Sequence, residues 1–197
     1  MEQSEILKHF QPELIQKLSP ERYAHSLAVA ERAAQLAKIY GEDEEKAYTA
    51  GLLHDIMKDA EPREQLQLLE KYGIILNRTE MMAPKIWHSF AGAVYVKEML
   101  HIDDEQLYNA IYYHTTGRAG MSRFEMLIYL ADSTSSDRSF EGVEELRTIS
   151  EHSLSEGMKW MLKSTVERLR GQNKTVSPQS EEAYARFCSG RDEVEHK

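Results

Sequence analysis

The sequence predicts an all-α protein, a bundle of helices. Helix-start and helix-stop residues recur along the chain, apolar residues return at three- and four-residue steps, and the period-two alternation of strands is almost absent. Ser19 followed by Pro20 reads as an N-cap with proline at the first helical position, opening a segment that closes at Gly41. Within it Tyr23, Leu27, Ala30, Ala34 and Ala37 form an apolar stripe. The next helix is expected from about Asp43 to Met57, and another from Pro62 to a C-terminal stop at Gly73. Pro84 starts a segment carrying Ile86, Val94 and Leu100. Asp103 with Gln106 reads as a capping box, and Ile102 with Leu107 as its hydrophobic staple. Ser122 with Glu125 is a second box, opening Phe124 to Ala131, and Ser153 with Glu156 begins a helix that ends at Gly171. Residues 172–180 form a polar connector. A short helix from Glu181 to Cys188 follows, and the last residues are expected to fray.

The length, 197 residues, suits one domain with a sizeable apolar core. A lone cysteine, Cys188, excludes an internal disulfide framework and fits a reducing compartment. The acidic N-terminal residues lack a signal-peptide profile, and no apolar run reaches the ~20 residues of a membrane span, so a cytoplasmic location without membrane attachment is expected. With 24 Lys and Arg against 33 Asp and Glu, the net charge of −9 argues against nucleic acid as a partner. A small polyanionic substrate stays compatible, because a bound cation and a few basic side chains reverse the potential locally.

The eight histidines differ in their settings. His9, His152 and His196 sit among polar residues and are expected to be solvated; His101 sits at a helix C-terminus, where imidazole complements the dipole. His54-Asp55 instead follows the apolar turn Ala50-Gly51-Leu52-Leu53. Buried charge there calls for an ion pair or a metal, and a His/Asp donor set favours iron, manganese, zinc or cobalt over calcium. His25 lies on the inward stripe of its helix, His88 and His114 on otherwise apolar helices, and Asp132 closes the most apolar run, Met126 to Ala131. One such polar residue is ordinarily a satisfied core residue. Five positions in the order His, His-Asp, His, His, Asp are not explained that way. Lys58, four residues after His54 and three after Asp55, is expected on their helix face, either as a positive charge serving the same site or as a solvated lysine at a helix end. The remaining tyrosines and methionines, including Met81-Met82 and Met158-Trp160-Met161, read as packing rather than a cofactor site.

His25, His54-Asp55 and Asp132 match the signature of the HD phosphohydrolase superfamily, and His88 with His114 match the subset that adds two histidines. Several stretches more closely resemble the YqeK-type symmetrical diadenosine tetraphosphate hydrolases. They are Ala50 to Asp59, His88 with Gly92-Ala93, the run from His114 to Gly117, and Ala131-Asp132 followed by the stretch from Arg138 to Val143. The resemblance spans about residues 20–185. It departs between Asp132 and Arg138, at Ser133-Thr134-Ser135-Ser136-Asp137, where that family carries a Glu-Pro, and at Ser177-Pro178, where it carries a His-Pro.

The resemblance implies a helical HD bundle with a core at about 20–170 and a segment 172–190 packed near the site. It implies metal-dependent hydrolysis of diadenosine tetraphosphate to two ADP, on a dinucleoside polyphosphate as the small-molecule partner, with a homodimer allowed. His25, His54, Asp55 and Asp132 become ligands of one divalent transition metal, iron first, with a second ion allowed. Asp55, Lys58, His88 and His114 become catalytic. The substrate would meet His25, Lys58, His88, His114, Asp132 and Arg138, with Thr175, Ser177, Pro178, Gln179 and Ser180 along its base or ribose. His88 and His114 face either the phosphates, the preferred reading, or a second metal. Asp59 either orients Lys58 or a ligand, or is an exposed helix end, and Thr115 to Gly117 either donate backbone N–H groups to phosphate or simply end a helix. The alternatives are another HD nucleotide phosphohydrolase, acting on nucleoside monophosphates or guanosine alarmones, and a nucleotide-binding regulatory module without turnover.

Overall fold

The structure, a computed structural model, describes residues 2–188; His196, the frayed end and the last two positions of the 172–190 segment lie outside them. Eleven α-helices and no strand occur among the described residues. They are α1 (Gln3–Lys17), α2 (Pro20–Tyr40), α3 (Glu44–Leu53), α4 (Pro62–Lys71), α5 (Arg78–Met81), α6 (Trp87–Glu98), α7 (Glu105–Tyr113), α8 (Arg123–Thr134), α9 (Val143–His152), α10 (Leu154–Gly171) and α11 (Pro178–Cys188). None is long and apolar enough to cross a membrane.

α2 lies along α3 and α8, and α7 packs on α6 and α8. α4 covers α6, and α10 packs against α8, α9 and α11. The closest approach is between α2 and α3: a Cβ built on Gly51 would fall 2.8 Å from Ala30 Cα and 2.9 Å from the Val29 carbonyl oxygen. Only glycine lets the two backbones meet there. α1, which has no clear signal in the sequence, buries Ile6, Phe10 and Leu14 in the same core. α2 follows its expected punctuation, with the Ser19 hydroxyl accepting from the Arg22 amide and Gly41 at φ 68°.

Several expected boundaries are corrected. The helix expected to reach Met57 stops at Leu53, and residues 54–59 continue as turns in which Lys58 N–H donates to the Asp55 carbonyl at 2.8 Å. α7 is capped by Asp104, not Asp103. The Asp104 carboxylate, held at 2.7 Å by Lys46, accepts from Leu107 N–H at 2.9 Å, while Asp103 turns to Lys97, so the expected box does not form. Ser122 caps α8 as expected, but the Glu125 carboxylate pairs with Arg118 in two 2.7 Å contacts instead of closing a box. α11 begins at Pro178, inside the expected connector, because Ser177 caps it by accepting from the Ser180 amide. Met158 is buried as expected, whereas Met81 and Met82 are exposed.

Candidate metal centre

Five segments bring the six His/Asp side chains together: α2 carries His25, the turn after α3 carries His54 and Asp55, α6 carries His88, the end of α7 carries His114, and α8 carries Asp132. Leu52, Leu53, Ile56, Leu127 and Ile128 form a fully buried apolar surround. His54 is wholly buried; Asp55, His88, His114 and His25 are nearly so, and Asp132 is partly exposed.

His54 and His114 occupy equivalent local positions. Each follows the last residue of a helix, and each ring Nδ1–H donates to the carbonyl three residues back, Gly51 at 2.6 Å and Ile111 at 2.7 Å. Helix ends leave such carbonyls open, so the ring both caps the helix and fixes its own tautomer. The Nε2 lone pairs then point inward. His54 Nε2 is buried without a hydrogen-bond partner among the described residues, 3.6 Å from Asp55 Oδ2 and 4.0 Å from Asp132 Oδ1. Asp55 Oδ1, likewise buried and without a hydrogen bond of good geometry, faces His88 Nε2 at 3.2 Å and His114 Nε2 at 3.5 Å. His25 Nε2 lies 3.0 Å from Asp132 Oδ1.

These separations fit metal ligation. Donors ~2.1 Å from one ion stand ~3.0 Å apart at right angles and ~3.4 Å apart at tetrahedral angles. Three donor groups, each with its ligand atoms within 4.8 Å of one another, could close on an ion: His25 with His54 and Asp55, His54 with His114 and Asp132, and Asp55 with His88 and His114. Burial pushes His54 and His88 down to about 4, so both rings are neutral at pH 7, as ligation requires. Burial alone would raise the Asp55 carboxyl, but the neighbouring imidazoles, His54 foremost, hold it well below the carboxylate range. The Asp132 carboxyl is likewise held low against burial, by His25, His54 and Arg138. For His25 burial is outweighed, chiefly by Asp132, and its pKa is raised.

Two predicted cations lie at the cluster. Lys58 Nζ is 3.0 Å from His88 Nε2 and 3.7 Å from Asp55 Oδ1; the turn after α3, not a shared helix face, brings it there. The Arg138 guanidinium bonds the Asp132 carboxylate and its backbone carbonyl, and stands 3.3 Å from His25 Nε2. Two residues were missed by the sequence reading. Arg22 Nη1 meets Asp55 Oδ2 at 3.0 Å, and its position one helical turn before His25 was the available signal. Asp137 Oδ2 meets His25 Nδ1 at 2.7 Å, from within the stretch that departs from the resemblance. A cavity of about 360 Å³ lined by Arg22, His25, Asp137, Arg138 and Phe140 opens beside them.

The other predicted positions are more distant. Asp59 orients neither Lys58 nor a ligand: its carboxylate accepts from the Ser19 amide and hydroxyl, both at 2.8 Å, tying the turn to the start of α2. Thr115 Oγ1 lies 3.4 Å from His88 Nε2, while the Gly117 amide is engaged with the Tyr113 carbonyl at 2.8 Å and is not open to phosphate. Ser180 donates to the Thr116 carbonyl at 2.8 Å, and Ser177 to Ser180, so α11 is stitched to the turn that carries His114. Gln179 bonds Glu80, Pro178 starts the helix, and Thr175 is exposed on the connector.

Comparison with known proteins identifies the family. The HD domain model matches residues 22–137. A symmetrical bis(5'-nucleosyl)-tetraphosphatase of Bacillus subtilis is 34% identical over 181 residues, covering 89% of this chain and 94% of that protein. One from Staphylococcus aureus is 38% identical over 132 residues, 67% of this chain and 68% of that protein. A crystal structure from Clostridium acetobutylicum, described as an HD superfamily hydrolase involved in NAD metabolism, superposes with a TM-score of 0.90 at 34% identity, over 92% of this chain and 96% of that one. The chain belongs to the HD-domain family of metal-dependent hydrolases, alongside the symmetrical bis(5'-nucleosyl)-tetraphosphatases.

Proposed function

We propose that this chain hydrolyses diadenosine tetraphosphate at its central anhydride, using one water to give two ADP. It would do so with a divalent transition metal held by His25, His54, Asp55 and Asp132. The observation that carries the reading is the buried His54 Nε2, which has no hydrogen-bond partner among the described residues, beside Asp55 Oδ1, which faces two further imidazole nitrogens without a well-formed hydrogen bond. The donor set is imidazole and carboxylate without thiolate, which suits a borderline transition metal such as iron, manganese, cobalt or zinc; the family resemblance puts iron first. A bound ion lowers the pKa of a coordinated water toward 7 and neutralises phosphoryl oxygens.

The chain's own residues supply the rest. Lys58 stands on the His88 side of the cluster and Arg22 with Arg138 on the His25 side, so cations flank the centre as an extended tetraphosphate requires. His88, which burial keeps neutral, and His114 both turn Nε2 toward Asp55 Oδ1, an arrangement that favours a second ion over direct phosphate contact. The cytoplasmic placement rests on the lone cysteine.

The test is a product assay with metal analysis on protein purified without chelator. ADP as sole nucleotide product from diadenosine tetraphosphate, with one or two metal equivalents, supports the reading; AMP plus ATP, or no turnover by metal-loaded protein, overturns it. Replacing both His88 and His114 by alanine should lower the metal count by one.

A further inference from the structure

The three histidines of the cluster whose ring Nδ1 partner is defined are not anchored alike. His54 and His114 donate to neutral backbone carbonyls of their own helices. His25 lies in the middle of α2, where the carbonyls are used by the helix itself, and its partner comes from 112 residues away: Asp137 Oδ2 at 2.7 Å. Asp137 is itself held. Its Oδ1 accepts from the Ser135 hydroxyl at 2.6 Å. The loop around it is clamped by Arg147 of α9, whose guanidinium donates to the carbonyls of Thr134 at 3.1 Å, Ser135 at 2.7 Å and Arg138 at 2.9 Å.

We propose that Asp137 is a positioning residue for the metal centre, fixing His25 with Nε2 inward and strengthening that nitrogen as a donor. The inference rests on His25 being a metal ligand. A carboxylate accepting the ring N–H fixes the tautomer and orientation and makes the far nitrogen a more basic ligand than a carbonyl partner does. The centre is therefore asymmetric. His54 and His114 are set by the local backbone, whereas His25 is set by a charged side chain on a loop that also carries Arg138 and borders the cavity beside the site. Asp137 is partly exposed, so replacing it leaves the apolar core untouched.

The test titrates chelator-stripped full-length protein with Mn²⁺ alone, comparing the parent with Asp137→Ala and Asp137→Asn. Alanine should weaken Mn²⁺ binding by roughly 10- to 100-fold. Asparagine should fall between, because its carboxamide oxygen still accepts the ring N–H but brings no charge. In Zn²⁺-loaded protein, the His25 Nδ1–H signal of a histidine ¹⁵N–¹H spectrum should move upfield in Asp137→Asn while those of His54 and His114 stay. Variants that keep parental circular dichroism, bind Mn²⁺ as tightly as the parent and leave the His25 signal in place would overturn the role of Asp137 alone. A parent that takes up no Mn²⁺ would overturn both this role and the metal centre.

Discussion

His54 and His114 each close a helix and return a ring N–H to a carbonyl three residues back, whereas His25 and Asp132 are completed by a loop. The first pair sits in the apolar interior, fixed by backbone geometry that their own helices provide. In the second pair His25 borders a cavity, and both residues are engaged by the loop that carries Asp137 and Arg138 and is held by the Arg147 clamp. One half of the centre is thus built by helix termination and the other by a network of charged side chains. Substitutions should act differently on the two.

The largest effect is expected from the backbone-anchored half. His54→Ala or Asp55→Ala removes a donor with no local substitute, and both metal content and hydrolysis should fall to background in elemental analysis and turnover assays. Retention of metal by either variant would break the assignment of this half. Gly51→Ala tests the same half through the fold. The added Cβ meets backbone rather than a flexible side chain, so α2 and α3 must part, at a cost of about 1–3 kcal/mol in denaturant melts. That displacement also moves His25 away from His54, and metal affinity should weaken alongside stability. An alanine variant as stable as the parent would show that the close approach of the two helices is not needed.

The cations that flank the centre should respond through substrate, unlike Asp137, which acts on the metal. Lys58→Ala and Arg138→Ala should keep the metal and lose about 1.5–3 kcal/mol of transition-state stabilisation each, roughly 10- to 150-fold in kcat/KM. Parental kinetics in either variant would remove that residue from phosphate binding. Acidification separates the halves again. His54 and His88 are near 4 in the folded chain against 6.5 when unfolded, so below pH ~6.5 the unfolded chain takes up protons that the folded chain refuses. Stability of the chelator-treated protein should be full above that pH and decline toward pH 4, read as a falling Tm. A Tm unchanged between pH 7.5 and 5 would contradict the burial of these two rings.

The same division explains what the sequence revealed. His54-Asp55 stood out because an apolar turn led into it, and His25, His88, His114 and Asp132 because each interrupts an apolar face. These are local signals, and burial follows from them directly. Arg22 and Asp137 carried no such signal, since an arginine in a first helical turn and an aspartate among serines both read as solvated surface. Only the packing of α2 against the loop after α8 turns them inward. Helix existence was legible from capping residues, but α1, α5 and α9 were overlooked. The shift from Asp103 to Asp104 as the α7 cap was decided by Lys46 on another helix, which no local pattern encodes.

The smallest effect is expected where α11 meets the site. Ser180 Oγ donates to the Thr116 carbonyl, two residues after His114, and Ser177 donates to Ser180 while capping the helix. This stitch holds α11 against the backbone-anchored half without touching any of the six His/Asp side chains. Ser180→Ala should therefore cost about 1 kcal/mol of stability, the usual size of one neutral hydrogen bond. It should leave the metal count unchanged and lower kcat/KM by no more than the small shift of the His114 turn allows, a few-fold. The comparison sharpens if the outcome differs. A drop beyond tenfold in kcat/KM, with stability and metal intact, would mean that Ser180 contacts the nucleotide itself, and α11 would then belong to the substrate-binding surface rather than to the scaffold behind it.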